Sequence, residues 1–172
     1  MAAFTVLVLL VGAERIAELV VSQRNAARAL ANGGRETGRG HYPFMVVLHT
    51  GLLVGALVEA WTVRPDVPAA LAWSMLLLVL AAQALRWWCI ATLGPAWNTR
   101  VIVVPGGERV RRGPYRVLPH PNYVAVVVEG FALPLVHAAW VTALVFTVLN
   151  AGLLAVRLRA ENQALTLLEE PA

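Results

Sequence analysis

The stretch GPYRVLPHPNY, Gly113 to Tyr123, decides how this chain is read. It is polar, aromatic and rich in proline, and long apolar segments flank it on both sides. An irregular backbone exposed to lipid would leave its N–H and C=O groups without partners, so the stretch lies at a membrane surface or lines a cavity inside the protein. A membrane protein that gathers its polar side chains in one such segment is expected to work there.

The composition agrees with this setting. Of 172 residues, 59% are hydrophobic and only 14% charged, with a mean hydropathy of +0.67. Soluble domains carry about 25% charged residues, so the expected class is an all-α integral membrane protein forming a single domain over residues 1–172. Every basic side chain is Arg. The net charge of +4 fits Arg-rich inner loops of a membrane protein rather than a nucleic-acid surface. The single Cys89 excludes an internal disulfide and reads as a packing residue. No basic region precedes the first apolar run, so no cleaved signal peptide is expected. The four histidines lack the HExxH kind of spacing, and no metal is expected.

Five spans are predicted: residues 4–21, 44–63, 69–93, 121–137 and 139–156. The first carries Glu14, Arg15 and Glu18, which can meet near one helical face. They form either an ion pair near the membrane surface or a carboxylate turned toward an internal pocket. Residues 22–40 continue as a polar helix and then a loop, with Asn32-Gly33-Gly34 as the stop. His49 and Glu59 lie in the second span, and Gln83, Arg86, Trp87 and Trp88 in the second half of the third. Val101 to Val104 reads as one arm of a surface hairpin. Pro121 to Pro134 covers only about 21 Å at ~1.5 Å per residue, short of a ~30 Å hydrocarbon core, so the last two spans form a tight hairpin with a short or bent first arm. The outer turn has one arginine, Arg64, while the other loops and the C-terminal segment are basic. The positive-inside rule then places the N-terminus outside and the C-terminus in the cytoplasm.

Two polar stretches carry the candidate chemistry. Pro121 at the first turn of a helix favours its start, and the free N–H groups there suit an anion such as a carboxylate; HPNY is otherwise simply a helix start. Arg157 and Glu161 stand four residues apart, as in a solvated helix pair. Arg86 faces an anion, pairs with Glu59 or snorkels. His49 is an interior histidine or a base.

Taken together, Gly113-Pro114-Tyr115, His120-Pro121-Asn122-Tyr123 and Arg157, Glu161 and Leu165 resemble the signature of the isoprenylcysteine carboxyl methyltransferase family: a GPY turn, then RHPxYxG, then RxxxEExxL. Gly40-His41-Tyr42, Leu48-His49 and HPNYxAVxxE, ending at Glu129, are similar to a small bacterial branch of alkylpyrone O-methyltransferases associated with type III polyketide synthases. The chain departs from the family pattern at Pro119, Ala125 and Asn162, where the family has Arg, Gly and Glu. The resemblance implies S-adenosylmethionine as cofactor, held in residues 94–123 and 157–168 by Tyr115, His120, Pro121, Asn122, Tyr123, Arg157, Glu161 and Asn162. Its carboxylate would suit the helix start at Pro121 and its amine Glu161. The implied acceptor is lipophilic, an alkylpyrone or alkylresorcinol hydroxyl or a prenylated carboxylate, entering from the bilayer and positioned by Arg86, His49 and Glu59. Two rivals are a small transporter using Glu14 and a nicotinamide-dependent membrane reductase of similar C-terminal architecture. The expected partners are the bilayer and the acceptor, with no nucleic acid; the oligomeric state is not legible.

Overall fold

The computed structural model describes residues 1–166, so the last two positions of the expected cofactor segment, Leu167 and Leu168, lie outside the described residues. Helix α1 runs Ala2–Ala31, α2 Tyr42–Val63, α3 Ala69–Leu93, α4 Pro121–Leu135 and α5 Trp140–Thr166. The expected first span and its polar continuation are one helix, because no Gly pair or Pro interrupts the chain before Asn32-Gly33-Gly34, where Gly33 takes φ 79°. Pro43 falls in the first turn of α2, where a missing N–H costs nothing. At the other end Arg64 adopts φ 47° just before Pro65, and the chain turns back into α3.

Three helical stretches are long and apolar enough to cross a membrane: Arg39–Val63, Ala69–Ala96 and Trp140–Thr166. Among the described residues, three of the five expected spans meet these criteria. The expected first span, now within the first two-thirds of α1, carries Glu14, Arg15 and Glu18, and α4 has only 15 residues. The short first arm of the C-terminal hairpin was expected; α4 closes just past Pro134. Large apolar side chains such as Leu9, Val47, Leu77 and Leu144 point outward, as lipid-facing residues do. Inside, Phe4, Val8 and Val11 of α1 pack with Ala56, Ala60, Val79, Ala132 and Leu133. The Phe146 ring of α5 packs against Gly130 of α4, where a Cβ would stand 2.0 Å from the ring. Ala125, in place of the family glycine, is fully buried.

One end of the bundle carries the long polar connections. There β1, Arg35–Thr37, pairs antiparallel with β2, Val101–Val103, so the predicted hairpin arm bonds instead to a strand more than sixty residues earlier. Glu36 on β1 accepts from Arg39 Nε at 2.6 Å and from Arg100 Nε at 2.6 Å. Burial alone would raise its pKa, but these two guanidiniums hold its carboxyl below the usual carboxylate range. The same connection is docked on α1: Ser22 meets Asn98 Oδ1 at 2.8 Å, and Asn25 donates to the Trp97 carbonyl at 2.8 Å.

Candidate functional site

The start of α4 faces the end of α5. Pro121 is buried at the first helical position, and His120 precedes it as the N-cap with non-helical backbone angles, φ -135° and ψ 64°. Two residues on, the Tyr123 hydroxyl donates to the Glu161 carboxylate and accepts from Arg157 Nε at 2.8 Å. The Arg157 guanidinium carbon lies 5.5 Å from the Tyr123 ring centroid, a cation–π distance. His120 stacks on the same ring at 5.5 Å, and its Nδ1 stands 3.4 Å from Glu161. That bond to Glu161, above all, raises the pKa of His120, with Asn162 adding a second hydrogen bond. Arg157 is buried at 7% exposure. The solvated Arg157–Glu161 pair is therefore replaced by a junction in which both side chains reach across to Tyr123.

Tyr115 reaches the same region from the short helical turn Gly113–Arg116. Gly113 takes φ 56°, and a Cβ there would meet Thr92 at 2.5 Å, so only glycine fits the GPY turn. The Tyr115 hydroxyl meets Cys89, and burial pushes the phenol pKa up.

Two cavities flank this junction and share part of their walls. The larger, about 920 Å³, lies among the polar connection, the end of α1 and α5, and is lined by Arg28, Val103, Arg109, Tyr115, Arg157 and Glu161 among others. The smaller, about 150 Å³, lies between the helices and includes Glu18, His49, Arg86, Asn122 and Tyr123 in its wall. Asn98 and Arg157 belong to both. Most of the expected cofactor residues are thus brought together: Tyr115, Arg157 and Glu161 on the larger cavity, Asn122 and Tyr123 on the smaller, His120 and Asn162 behind Glu161, and Pro121 at the helix start.

The acceptor-positioning set is only partly assembled. His49 and Arg86 share the smaller cavity, with His49 bonded through Nδ1 to the Met45 carbonyl at 2.9 Å and edge-on to Phe146. Glu59 does not join them. It accepts from the Val141 and Thr142 backbone N–H groups at 2.9 and 2.7 Å and from the Thr142 hydroxyl at 2.7 Å, capping the start of α5. The pairing of Arg86 with Glu59 is corrected for the same reason. Glu59 stands beside the turn joining α2 to α3, whereas Arg86 lies about 25 Å further along α3 at ~1.5 Å per residue. Arg86 instead donates from its terminal amine to Glu129 Oε2 of α4 at 2.6 Å.

Around that pair is a charged cluster that sequence reasoning caught only in part. Arg15 bonds Glu18 Oε2 at 2.9 Å, Glu14 Oε2 at 3.2 Å and Gln83 Oε1 at 3.1 Å, and lies 3.6 Å from Glu129. Three carboxylates thus face two guanidiniums. Glu14 and Glu18 each keep one buried oxygen without a hydrogen-bond partner, as do Nε of Arg15, Nε of Arg86 and Oδ1 of Asn122. The sequence signal for Glu18 was an ionisable side chain inside an apolar run, and the same signal, not applied to Glu129, was available there.

Residues 75–167 match the family model for isoprenylcysteine carboxyl methyltransferases. The uncharacterized protein YpbQ of Bacillus subtilis is 35% identical over 162 residues, which covers 94% of this chain and 96% of that protein. An uncharacterized protein of Haemophilus influenzae is 25% identical over 153 residues, 88% of each chain. No solved structure matches.

Proposed function

This chain belongs to the isoprenylcysteine carboxyl methyltransferase family of membrane methyltransferases, and from that premise we propose that it moves a methyl group from S-adenosylmethionine to a lipophilic acceptor. The observation that carries this reading is that two unlike cavities share Asn98 and Arg157 in their walls. One opens among polar connections and suits a water-soluble donor. The other lies among apolar helices and suits a guest arriving from lipid.

The donor's chemistry fits the larger cavity. About 920 Å³ falls within the ~300–1,000 Å³ of ordinary ligand pockets. Glu161 offers a carboxylate to the amine and the sulfonium charge, Arg28 and Arg109 offer guanidiniums to a carboxylate, and Val103 with Tyr115 offers an apolar wall to a purine. When bound, S-adenosylmethionine supplies a methyl group made electrophilic by the sulfonium sulfur. The chain's own residues do the rest. Arg157 and Tyr123 hold the wall between the cavities, Glu161 and His120 hold Tyr123, and the helices exclude water, so that donor and acceptor meet already oriented. The basic end of the bundle faces the cytoplasm in this reading, with α1 and α4 completing five membrane-embedded helices. The acceptor is a pyrone or resorcinol hydroxyl, as the likeness to the bacterial branch favours, or a prenylated carboxylate.

Calorimetric titration of S-adenosylmethionine into the detergent-purified protein, beside Glu161→Ala, tests the reading. Saturable binding that weakens in the variant supports it. Absence of binding at about millimolar donor (~4 kcal/mol of affinity) by folded protein sinks it, and would turn attention to nicotinamide binding and proton-coupled flux.

A further inference from the structure

Two residues in the wall of the smaller cavity hold a pair of buried polar atoms that the fold leaves unfinished. Glu18 Oε1 on α1 and Arg86 Nε on α3 stand 3.8 Å apart, too far for a hydrogen bond to each other. Neither has any other hydrogen-bond partner, and each residue is only 5% exposed. Both residues line the cavity. An unsatisfied buried acceptor and an unsatisfied buried donor are each costly alone. A group placed beside the pair, donating one hydrogen bond and accepting another, would satisfy both. A hydroxyl has that inventory; a carboxylate has no hydrogen to give Glu18 and would add a negative charge against it.

Resting on the methyltransferase reading, we infer that the acceptor presents a neutral hydroxyl to Glu18 and Arg86, and that Glu18 is the base that takes its proton. Glu18 Oε1 receives the hydroxyl proton as the oxygen lone pair forms the new O–CH3 bond. The CH3–S bond of the sulfonium donor breaks, and its electron pair stays on sulfur, which becomes a neutral thioether. Arg86 Nε donates to the acceptor oxygen while it carries negative charge. The position is suitable. Glu18 lies one helical turn, about 6 Å, before Ser22, whose hydroxyl meets Asn98, a residue common to both cavities. The rest of the cluster keeps Glu18 competent: Arg15 holds its other oxygen, Arg86 is itself held by Glu129, and Glu14 sits on the far side of Arg15. His49 and Arg157 complete the charged or titratable wall from α2 and α5, with Tyr42 and Tyr123 as its phenols.

The test compares two acceptors in mixed micelles, pentadecylresorcinol and N-acetyl-farnesylcysteine, with S-adenosylmethionine as donor. Wild-type protein is expected to methylate the resorcinol and not the carboxylate. Glu18→Gln should lower kcat on the resorcinol roughly 10²–10⁴-fold, the range for a lost general base. Donor affinity by calorimetry and resorcinol binding to donor-free protein should stay close to wild type, and Glu18→Asp should recover part of the rate. The fall in rate at low pH should disappear in Glu18→Gln. Turnover of the carboxylate, or of neither acceptor, by protein that binds donor overturns the hydroxyl site while leaving the cofactor reading in place. Parallel loss of donor affinity in Glu18→Gln and Glu18→Asp marks a structural role and also overturns it. Failure of the wild type to bind donor removes the reading beneath it.

Discussion

Glu59 and Glu18 are both carboxylates on apolar helices, and the bundle uses them in opposite ways. Glu59, near the turn joining α2 and α3, is complete: two backbone N–H groups and one hydroxyl of α5 occupy its two oxygens. Glu18, deeper along α1 and facing α3 and α4, has one oxygen bonded to Arg15 and the other buried without a hydrogen-bond partner in the wall of a cavity. A carboxylate whose partners are all supplied by its own chain is a structural tie. One that the fold surrounds with charge and leaves half-satisfied is reserved for something that arrives.

The largest effect that separates the two ends is expected at Arg86. Removing one partner of a buried ion pair strands the other charge, so Arg86→Leu should destabilise the protein by about 3–5 kcal/mol in thermal unfolding. Replacing Arg86 and Glu129 together with Leu should restore most of that loss, because the Glu129 charge is no longer stranded. If the double variant is as unstable as the single one, the cluster is a structural tie like Glu59 and the contrast fails. A smaller effect is expected at the other end. Glu59→Ala removes a helix cap and should cost about 1 kcal/mol, with donor affinity unchanged by calorimetry. A change in donor affinity would show that the two ends are coupled.

The smallest effect concerns His120, whose carboxylate partner Glu161 lies between these extremes, held by His120 and Tyr123 and still facing the larger cavity. The pKa of His120 is raised in the folded protein, so its protonated form is favoured by folding. Its contribution is full below the unfolded value of about 6.5 and is lost as pH rises through the higher folded value. The gap in unfolding temperature between wild type and His120→Gln should therefore narrow as the pH is raised above about 6.5. A gap that widens over the same range would show that His120 folds in its neutral form.

Much of this frame was legible in the sequence, for reasons local to the chain. The expected third span, residues 69–93, matches α3, since Pro68 and Gly94 bound it. Asn32-Gly33-Gly34 ends α1, and Gly113-Pro114-Tyr115 demanded a turn that only glycine could open. What was not legible depends on meetings between distant residues. Three-residue strands have no periodicity to reveal that Arg35–Thr37 would pair with Val101–Val103. Glu129 entered only through the family resemblance, and its bond to Arg86 comes from the packing of α4 on α3. Glu59 was expected to position the acceptor under the family resemblance; its capping role required knowing where α5 begins.

The clasp between the two polar connections redraws a boundary that ancestry suggests. The family match begins at residue 75, yet Arg28, Ala29 and Asn32 form part of the wall of the larger cavity, and Glu36 grips Arg100 from the opposite strand. The segment that the family model covers is thus smaller than the set of residues that walls the larger cavity. Transplanted alone into another protein, residues 75–167 would carry the signature of the family and a vessel missing one side.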